Sequence, residues 1–139
     1  MRPTGPTVIV VVIRLASALK IAFEIEGLVV QALCFVLEQV LSNALKYTNH
    51  GSVTIAMETP GLLTIRDTGI GIAPEDVPRV FEKGYTGYNG RADHKSTGLG
   101  LYLCKRTMNR LHHSISLTSV VGEGTTVTLD LRREERIIE

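Results

Sequence analysis

The sequence is poor in cysteine, has no long apolar run and shows no excess of either charge. Its two cysteines, Cys34 and Cys104, are far apart and form no metal-ligand spacing. Each lies in an apolar helical pattern, so we expect two buried, reduced thiols. The 15 basic and 14 acidic side chains give a net charge of +1. This balance does not supply the broad positive field that non-specific nucleic-acid binding requires, so nucleic acid is not an expected partner.

The lack of a long apolar run predicts that no segment of this chain spans a membrane. Residues 8–13 form an apolar run of six residues that is followed by Arg14, whereas a spanning helix needs roughly 20 apolar residues. A secretory signal is also disfavoured, because Arg14 interrupts the apolar region and Pro3 and Pro6 precede it. We therefore expect a cytoplasmic domain that makes no membrane contact.

Two common nucleotide-binding signatures are also missing. The sequence contains no Gly-Lys-Ser or Gly-Lys-Thr, which excludes a Walker-type phosphate loop. Its strand and helix patterns do not alternate strictly, which disfavours a doubly wound parallel sheet of the dinucleotide-binding type. With 139 residues, a single domain is the default expectation.

Hydrophobic periodicity and turn residues indicate an α+β fold. The predicted elements are strands at 8–13 and 20–26, a helix at 28–48, strands at 52–58 and 62–66, a short helix at 74–81, a helix at 100–112, and strands at 114–119 and 125–131. This order predicts a two-layer sandwich of a mixed, mostly antiparallel sheet with helices on one face. The irregular, glycine-containing segment 82–97 is expected to form a mobile lid.

Three short segments together predict an adenine nucleotide pocket. They are Asn-Ala-Leu-Lys-Tyr-Thr at 43–48, Asp-Thr-Gly-Ile-Gly-Ile at 67–72, and Ser-Thr-Gly-Leu-Gly-Leu at 96–101. Asp67 ends a predicted strand, where its acceptor-only carboxylate can bind the exocyclic amine of adenine. Guanine offers a carbonyl there, and two facing acceptors cost about 1 to 3 kcal/mol. The alternative for Asp67 is an ordinary turn residue.

The glycines of the second segment allow the main chain to pass close to a flat base. Gly69 and Gly71 supply the close approach, and Ile72 supplies an apolar wall. The third segment opens a helix, where free amide groups and the helix dipole favour a phosphate chain. The residues predicted to bind there are Thr97, Gly98, Leu99, Gly100 and Leu101. The alternative for this segment is a plain helix cap.

The first segment places several polar side chains on one face of the long helix. Asn43 offers an amide oxygen, a hard ligand suited to a magnesium ion that bridges phosphate oxygens. Lys46 can neutralise phosphate charge, and Tyr47 can lie against the base or ribose. Each of the three could instead be an ordinary polar residue of an amphipathic helix. The predicted cofactors are therefore ATP and Mg²⁺.

These segments resemble the catalytic ATP-binding domain of bacterial sensor histidine kinases, in the superfamily shared with gyrase and the MutL mismatch-repair ATPases. In the family's terms, 43–48 is similar to the N box, 67–72 to the first glycine box, 80–85 to the F box and 98–101 to the second glycine box. The resemblance implies a Bergerat-type ATP-binding fold. It is closest to kinases of the bacitracin-sensing, intramembrane type, and it places Thr125 near the adenine carboxylate.

The resemblance covers roughly residues 20–132 and implies a catalytic domain with its lid at 82–97. Residues 1–19 have no clear counterpart, so we expect either an extra edge strand or artificially added residues. A charged, solvated tail is expected at 133–139.

The resemblance implies transfer of the γ-phosphoryl group of Mg-ATP to a histidine on a separate dimerisation domain, and through it to a response regulator. The parent protein would be anchored in the bacterial plasma membrane. No catalytic residue is identifiable in this chain: no histidine precedes Glu or Asp, and Gln39 replaces the glutamate that activates water in the hydrolysing relatives. The alternatives are a stand-alone serine kinase acting as an anti-sigma factor and a nucleotide-binding interaction module without catalysis.

Overall fold

The structure, a computed structural model, describes residues 7–12, 27–85 and 99–132. Within these ranges the elements are β1 (Thr7–Val12), α1 (Gly27–Lys46), β2 (His50–Thr59), β3 (Leu62–Asp67), a 3₁₀ helix (Val77–Arg79), α2 (Gly100–Arg110), β4 (Ser114–Val120) and β5 (Gly124–Asp130). The predicted strand at 20–26, the tail at 133–139 and most of the predicted lid lie outside the described residues.

The five strands form one sheet in the order β1-β2-β3-β5-β4. The edge strand β1 runs parallel to β2, and the other three pairs are antiparallel. The two helices contribute side chains to the same buried cluster as the sheet. The predicted α+β class, with a mixed and mostly antiparallel sheet, is confirmed.

Helix α1 packs through a stripe of apolar side chains at three- and four-residue spacing. Its buried residues are Leu33, Val36, Val40 and Ala44. They meet two buried residues of α2, Cys104 and Met108, and apolar side chains from the sheet. The position of this buried stripe determines which residues of α1 remain on its polar face.

Strand β3 explains why an acidic residue is buried. Side chains alternate between the two faces of a strand, and Leu63, Ile65 and Asp67 are all buried on the same face of β3. Asp67 therefore lies at the end of an apolar row, directed to the side of the helices. Its position in the row follows from strand periodicity alone.

Two sequence predictions about local structure were wrong. The helix predicted at 74–81 is only a 3₁₀ helix, Val77–Arg79, because Pro78 lies in the interior of the predicted helix, where it lacks the amide donor that an α-helix needs. Cys34 is exposed, while Cys104 is buried as predicted. Cys34 follows Leu33 by one residue, a rotation of about 100° on a helix, and so leaves the buried stripe.

The stretch Val29–Lys46 of α1 is long and apolar enough to cross a membrane by length and composition, with a mean hydropathy of 1.2. The sequence prediction of no spanning segment did not consider this stretch. The core helix of a folded domain passes the same test, and the buried stripe of α1 packs in the core described above.

Candidate functional site

The site is centred on the carboxyl group of Asp67, which is 7% exposed at the end of β3. Its Oδ1 atom accepts hydrogen bonds from the backbone amides of Gly69, at 2.9 Å, and Thr125, at 3.2 Å. Thr125 is the register partner of Asp67 on the neighbouring strand β5. Because both amides bind Oδ1, they orient the carboxyl group and leave Oδ2 for a further donor.

Burial raises the pKa of Asp67 above its ordinary value of 3.8. The amides of Gly69 and Thr125 and the hydroxyl group of Thr48 act in the opposite direction, since they favour the charged form. None of the ion pairs among the described residues involves Asp67. The carboxyl group is thus held by hydrogen-bond donors and by no ion pair among the described residues.

Thr48 follows the end of α1 and is 1% exposed. Its hydroxyl group lies close enough to the carboxyl group of Asp67 to favour the charged form, yet among the described residues it makes no hydrogen bond of good geometry. A buried hydroxyl without a partner costs about 1 to 3 kcal/mol. A ligand atom or a water molecule beside Asp67 would satisfy it. Thr48 was not among the site residues predicted from the sequence.

The glycine loop 67–72 is wedged between the end of α1 and the β4–β5 turn. A Cβ atom on Gly69 would collide with the carbonyl oxygen of Tyr47 and lie 2.9 Å from Asp67 Oδ1. Gly71 has a φ of +75°, and a Cβ atom there would collide with the carbonyl group of Val120. Both positions therefore require glycine, on steric grounds at Gly69 and also on conformational grounds at Gly71.

Hydrogen bonds hold this loop on both sides. The amide of Ile70 donates to the carbonyl oxygen of Tyr47 at 3.2 Å, and the carbonyl oxygen of Ile70 accepts from Gly122 at 2.9 Å. The amide of Ile72 donates to Ser119 Oγ at 2.8 Å. Sequence reasoning assigned no role to Ser119, because its partner is distant in the chain.

The polar face of α1 contains the predicted residues Asn43, Lys46 and Tyr47, all of which are partly buried. The Lys46 Nζ atom lies 6.0 Å from the centre of the Tyr47 ring, and burial raises the pKa of Tyr47. These residues occupy the last turns of the helix that leads into Thr48, so the structure brings them to the same end of the molecule as Asp67.

Helix α2 begins at Gly100, with Leu99 as its N-cap residue. The carbonyl oxygen of Leu99 accepts a hydrogen bond from the amide of Leu103 at 2.8 Å. A Cβ atom on Gly100 would lie 2.8 Å from Gln39 Oε1, so the side chain of Gln39 packs against the start of α2. The structure thereby joins the polar face of α1 to Leu99, Gly100 and Leu101. Thr97 and Gly98 lie outside the described residues.

The residues at the start of the predicted lid and just before it pack on α2. The ring of Phe81 lies 5.4 Å from Lys105 Nζ, and the ring of Tyr102 lies 6.0 Å from Lys83 Nζ. Among the described residues there is no cluster of three or more His, Cys, Asp or Glu side chains that could hold a metal ion.

A two-layer α+β sandwich with a carboxylate at the end of an inner strand and a glycine loop beside it defines an ATPase domain of the Bergerat type. The chain belongs to the family described as Histidine kinase-, DNA gyrase B-, and HSP90-like ATPase, whose model matches residues 29–135. The family expected from the motifs is confirmed.

Similar curated proteins are sensor kinases. The chain is 39% identical over 109 residues to the sensor protein BceS of Halalkalibacterium halodurans, covering 76% of this chain and 33% of the relative. It is 39% identical over 107 residues to the sensor protein kinase GraS of Staphylococcus aureus, covering 75% of this chain and 31% of the relative. The chain thus spans about a third of the length of these curated relatives.

Two solved structures share the fold. The mycobacterial sensor histidine kinase MprB superposes with a TM-score of 0.59 at 22% identity, covering 88% of this chain and 78% of that one. Full-length ShkA, solved in complex with AMPPNP, superposes with a TM-score of 0.56 at 24% identity, covering 70% of this chain and 20% of that one. At these identities the likeness concerns the fold.

Proposed function

We propose that this chain binds Mg-ATP and supplies the γ-phosphoryl group to a histidine on a separate dimerisation and phosphoacceptor domain. The observation that carries the proposal is the carboxyl group of Asp67, which is buried, oriented by two amides and without an ion-pair partner among the described residues. Membership of the family and the names of the 39% identical sensor kinases support the same function.

In this proposal Asp67 selects the base. Its Oδ2 atom accepts a hydrogen bond from the amino group of adenine, beside the hydroxyl group of Thr48, which favours the charged form of the carboxyl group. The main chain at Gly69 and Gly71 lies close to the ring because neither residue has a side chain. A guanine base would instead present a carbonyl oxygen to the carboxylate, which leaves two acceptors facing each other.

The triphosphate lies between the polar face of α1 and the start of α2. The amides at the start of α2 favour negative charge, and Lys46 supplies a cation. Thr97, the last residue of the lid, and Gly98, which follows it, are proposed to complete the phosphate site. Leu99 and Leu101 flank Gly100, whose missing side chain leaves room for Gln39.

The residues present fit a magnesium ion. Asn43 offers one amide oxygen, and Mg²⁺ is commonly held by one or two protein ligands together with phosphate oxygens and water. When bound, the ion neutralises charge on the phosphate oxygens. Asn43 would hold it at the end of α1, close to the start of α2.

The chain's own contribution to transfer is positioning and charge neutralisation. Gln39, which packs against Gly100 at the start of α2, has no base with which to activate water. This favours transfer to a protein acceptor over hydrolysis. We place the domain in the cytoplasm, attached through its parent protein to the plasma membrane, with a response regulator as the final acceptor.

A transfer experiment tests the proposal. The chain is incubated with ATP labelled on the γ-phosphate, magnesium and the phosphoacceptor domain of a BceS-type kinase, with Asp67→Asn as the matched control. We expect label on the acceptor that is lost in acid and kept in alkali, as for phosphohistidine, and little label with the variant. Nucleotide binding without transfer, or label on serine, would contradict the proposed function.

A further inference from the structure

The hydroxyl group of Ser119, near the end of β4, makes three contacts that join separate parts of the site. Its Oγ atom accepts a hydrogen bond from the amide of Ile72 at 2.8 Å. The same atom lies 3.0 Å from the carbonyl oxygen of Gly124 and 2.7 Å from Thr125 Oγ1. Ile72 is 47 residues away in the chain. One serine thus links the glycine loop to the start of β5.

The direction of these bonds follows from the inventory of donors. An amide can only donate and a carbonyl oxygen can only accept, while Ser119 has a single hydroxyl proton. All three contacts are hydrogen bonds only if the Ser119 hydroxyl group donates to the carbonyl oxygen of Gly124. The hydroxyl group of Thr125 must then donate to Ser119 Oγ. The Ser119 hydroxyl group is therefore saturated, and the hydroxyl oxygen of Thr125 is left as an acceptor only.

This network reaches the carboxyl group of Asp67 through one residue. The amide of Thr125 donates to Asp67 Oδ1 at 3.2 Å, and the two residues are register partners in β3 and β5. Gly124 packs directly against the main chain of Asp67 and Thr68. A shift of the Gly124-Thr125 dipeptide would therefore move a group that orients the carboxylate.

We propose that Ser119 is a positioning residue of the adenine site. It holds the glycine loop at Ile72 and the strand start at Thr125 in one arrangement, and it keeps the Thr125 hydroxyl group from donating beside the carboxylate. A second acceptor near the carboxylate, the hydroxyl oxygen of Thr125, suits the amino edge of adenine. The inference rests on the proposed nucleotide binding and names a residue that controls its affinity and base selectivity.

Titration calorimetry with Mg-ATP and Mg-GTP on the full chain tests the inference. Ser119→Ala removes the hydroxyl group, Ser119→Thr restores it, and Ser116→Ala on the exposed face of the same strand is the matched control. We expect Ser119→Ala to bind ATP about tenfold more weakly and to have a smaller ratio of ATP to GTP affinity. Ser119→Thr and Ser116→Ala should retain the parent values.

The outcomes separate this inference from the function on which it rests. A parent chain that binds no ATP overturns both. A parent that binds ATP, with Ser119→Ala unchanged in affinity and selectivity, overturns the inference alone, even if the melting temperature of the variant falls. If Ser119→Ala does not fold, Thr125→Val decides, because it keeps the amide and removes only the partner hydroxyl group. Unchanged base selectivity in that variant overturns the inference.

Discussion

Asp67, the central residue of the proposed site, shows how a buried carboxyl group can oppose the stability of the fold that holds it. The carboxyl group is buried among apolar neighbours on the inner face of β3, and two amides at 2.9 and 3.2 Å only partly replace its hydration. Its pKa is consequently raised by burial. A residue of this kind is expected where function, and not packing, determines the side chain.

The raised pKa of Asp67 predicts a pH dependence of stability. A raised pKa in the folded state means that folding favours the protonated form, so this contribution is present below the ordinary value of 3.8 and is lost as pH rises through the folded value. Asp67→Asn is therefore expected to melt at the same or a higher temperature than the parent at pH 7, with a smaller advantage at pH 4. Thermal unfolding followed by circular dichroism measures both. A variant that melts lower than the parent at pH 7 would show that the charged carboxylate stabilises the fold.

Gly71 and Gly122 form a matched pair for testing the close packing of the glycine loop. Their φ angles are +75° and +80°, but a Cβ atom would collide with Val120 only at Gly71 and would meet nothing within 4 Å at Gly122. Gly122→Ala should cost about 1 to 2 kcal/mol of unfolding free energy from the backbone alone. Gly71→Ala should cost roughly 1 to 3 kcal/mol more.

Denaturant unfolding of the two glycine variants measures the difference. Equal losses at the two positions would show that the loop does not pack on the β4–β5 turn as described.

The Asp67 and glycine predictions came from short sequence motifs, which can be recognised without knowing the fold. Thr48 and Ser119 could not be assigned in that way, because their roles depend on partners brought close only by the sheet.

At the scale of elements, helix α1 follows from the spacing of its apolar residues, and its polar face follows from the same periodicity. The stripe Leu33, Val36, Val40 and Ala44 defines the buried side. Asn43 immediately precedes Ala44 and so lies at the edge of this stripe, half-buried. The prediction of a helix at 74–81 was wrong for the opposite reason, since Pro78 in the interior of that segment outweighs its weak periodicity.

Asn43 offers a test of the magnesium site at the end of α1. Asn43→Ala is expected to lose most of the increase in ATP affinity that magnesium produces, while ADP binding without magnesium stays within about twofold of the parent, because only the metal ligand is removed. The neighbouring Ser42→Ala, on the exposed side of the helix, is the control. Calorimetric titrations with and without magnesium give the comparison. A full magnesium effect in Asn43→Ala would remove this residue from the proposed metal site.

The two cysteines report on the packing of α1 against α2. Cys104 is fully buried, with its Sγ atom 3.8 Å from the carbonyl oxygen of Val36, and burial raises the pKa of its thiol to about 12. Cys34 is exposed on α1. A thiol reagent at pH 8 should therefore modify one cysteine in the folded chain and two in guanidinium. Peptide mapping should identify Cys34 as the residue modified first. Rapid modification of Cys104 in the folded chain would contradict the described contact between the helices.

At the scale of the whole molecule, the order of the strands in the sheet could not be predicted from sequence patterns. The hairpin of β2 and β3 follows from the turn at Pro60 and Gly61, but the pairing of β3 with β5 joins segments that are far apart in the chain. That pairing places Thr125 opposite Asp67 and creates the Ser119 contacts. The family resemblance placed Thr125 near the carboxylate, whereas the residues alone did not.

The site is a product of this topology because it lies where α1, β3 and the β4–β5 turn meet. The glycine loop hydrogen-bonds to Tyr47 on one side and to Gly122 on the other. A molecule assembled in this way should discriminate between purines through one oriented carboxylate. Base selectivity is therefore the property of the whole molecule that most directly reflects the proposed arrangement.

The most direct measurement is a calorimetric titration of the full chain with Mg-ATP and, in parallel, with Mg-GTP. The account predicts saturable binding of one ATP per chain and GTP affinity at least about tenfold weaker, since a carbonyl oxygen facing Asp67 leaves two acceptors unpaired. Asp67→Asn should bind ATP more weakly and reduce this difference. Equal affinity of the parent for the two nucleotides, or ATP binding that is unchanged in Asp67→Asn, would contradict the central role given to Asp67.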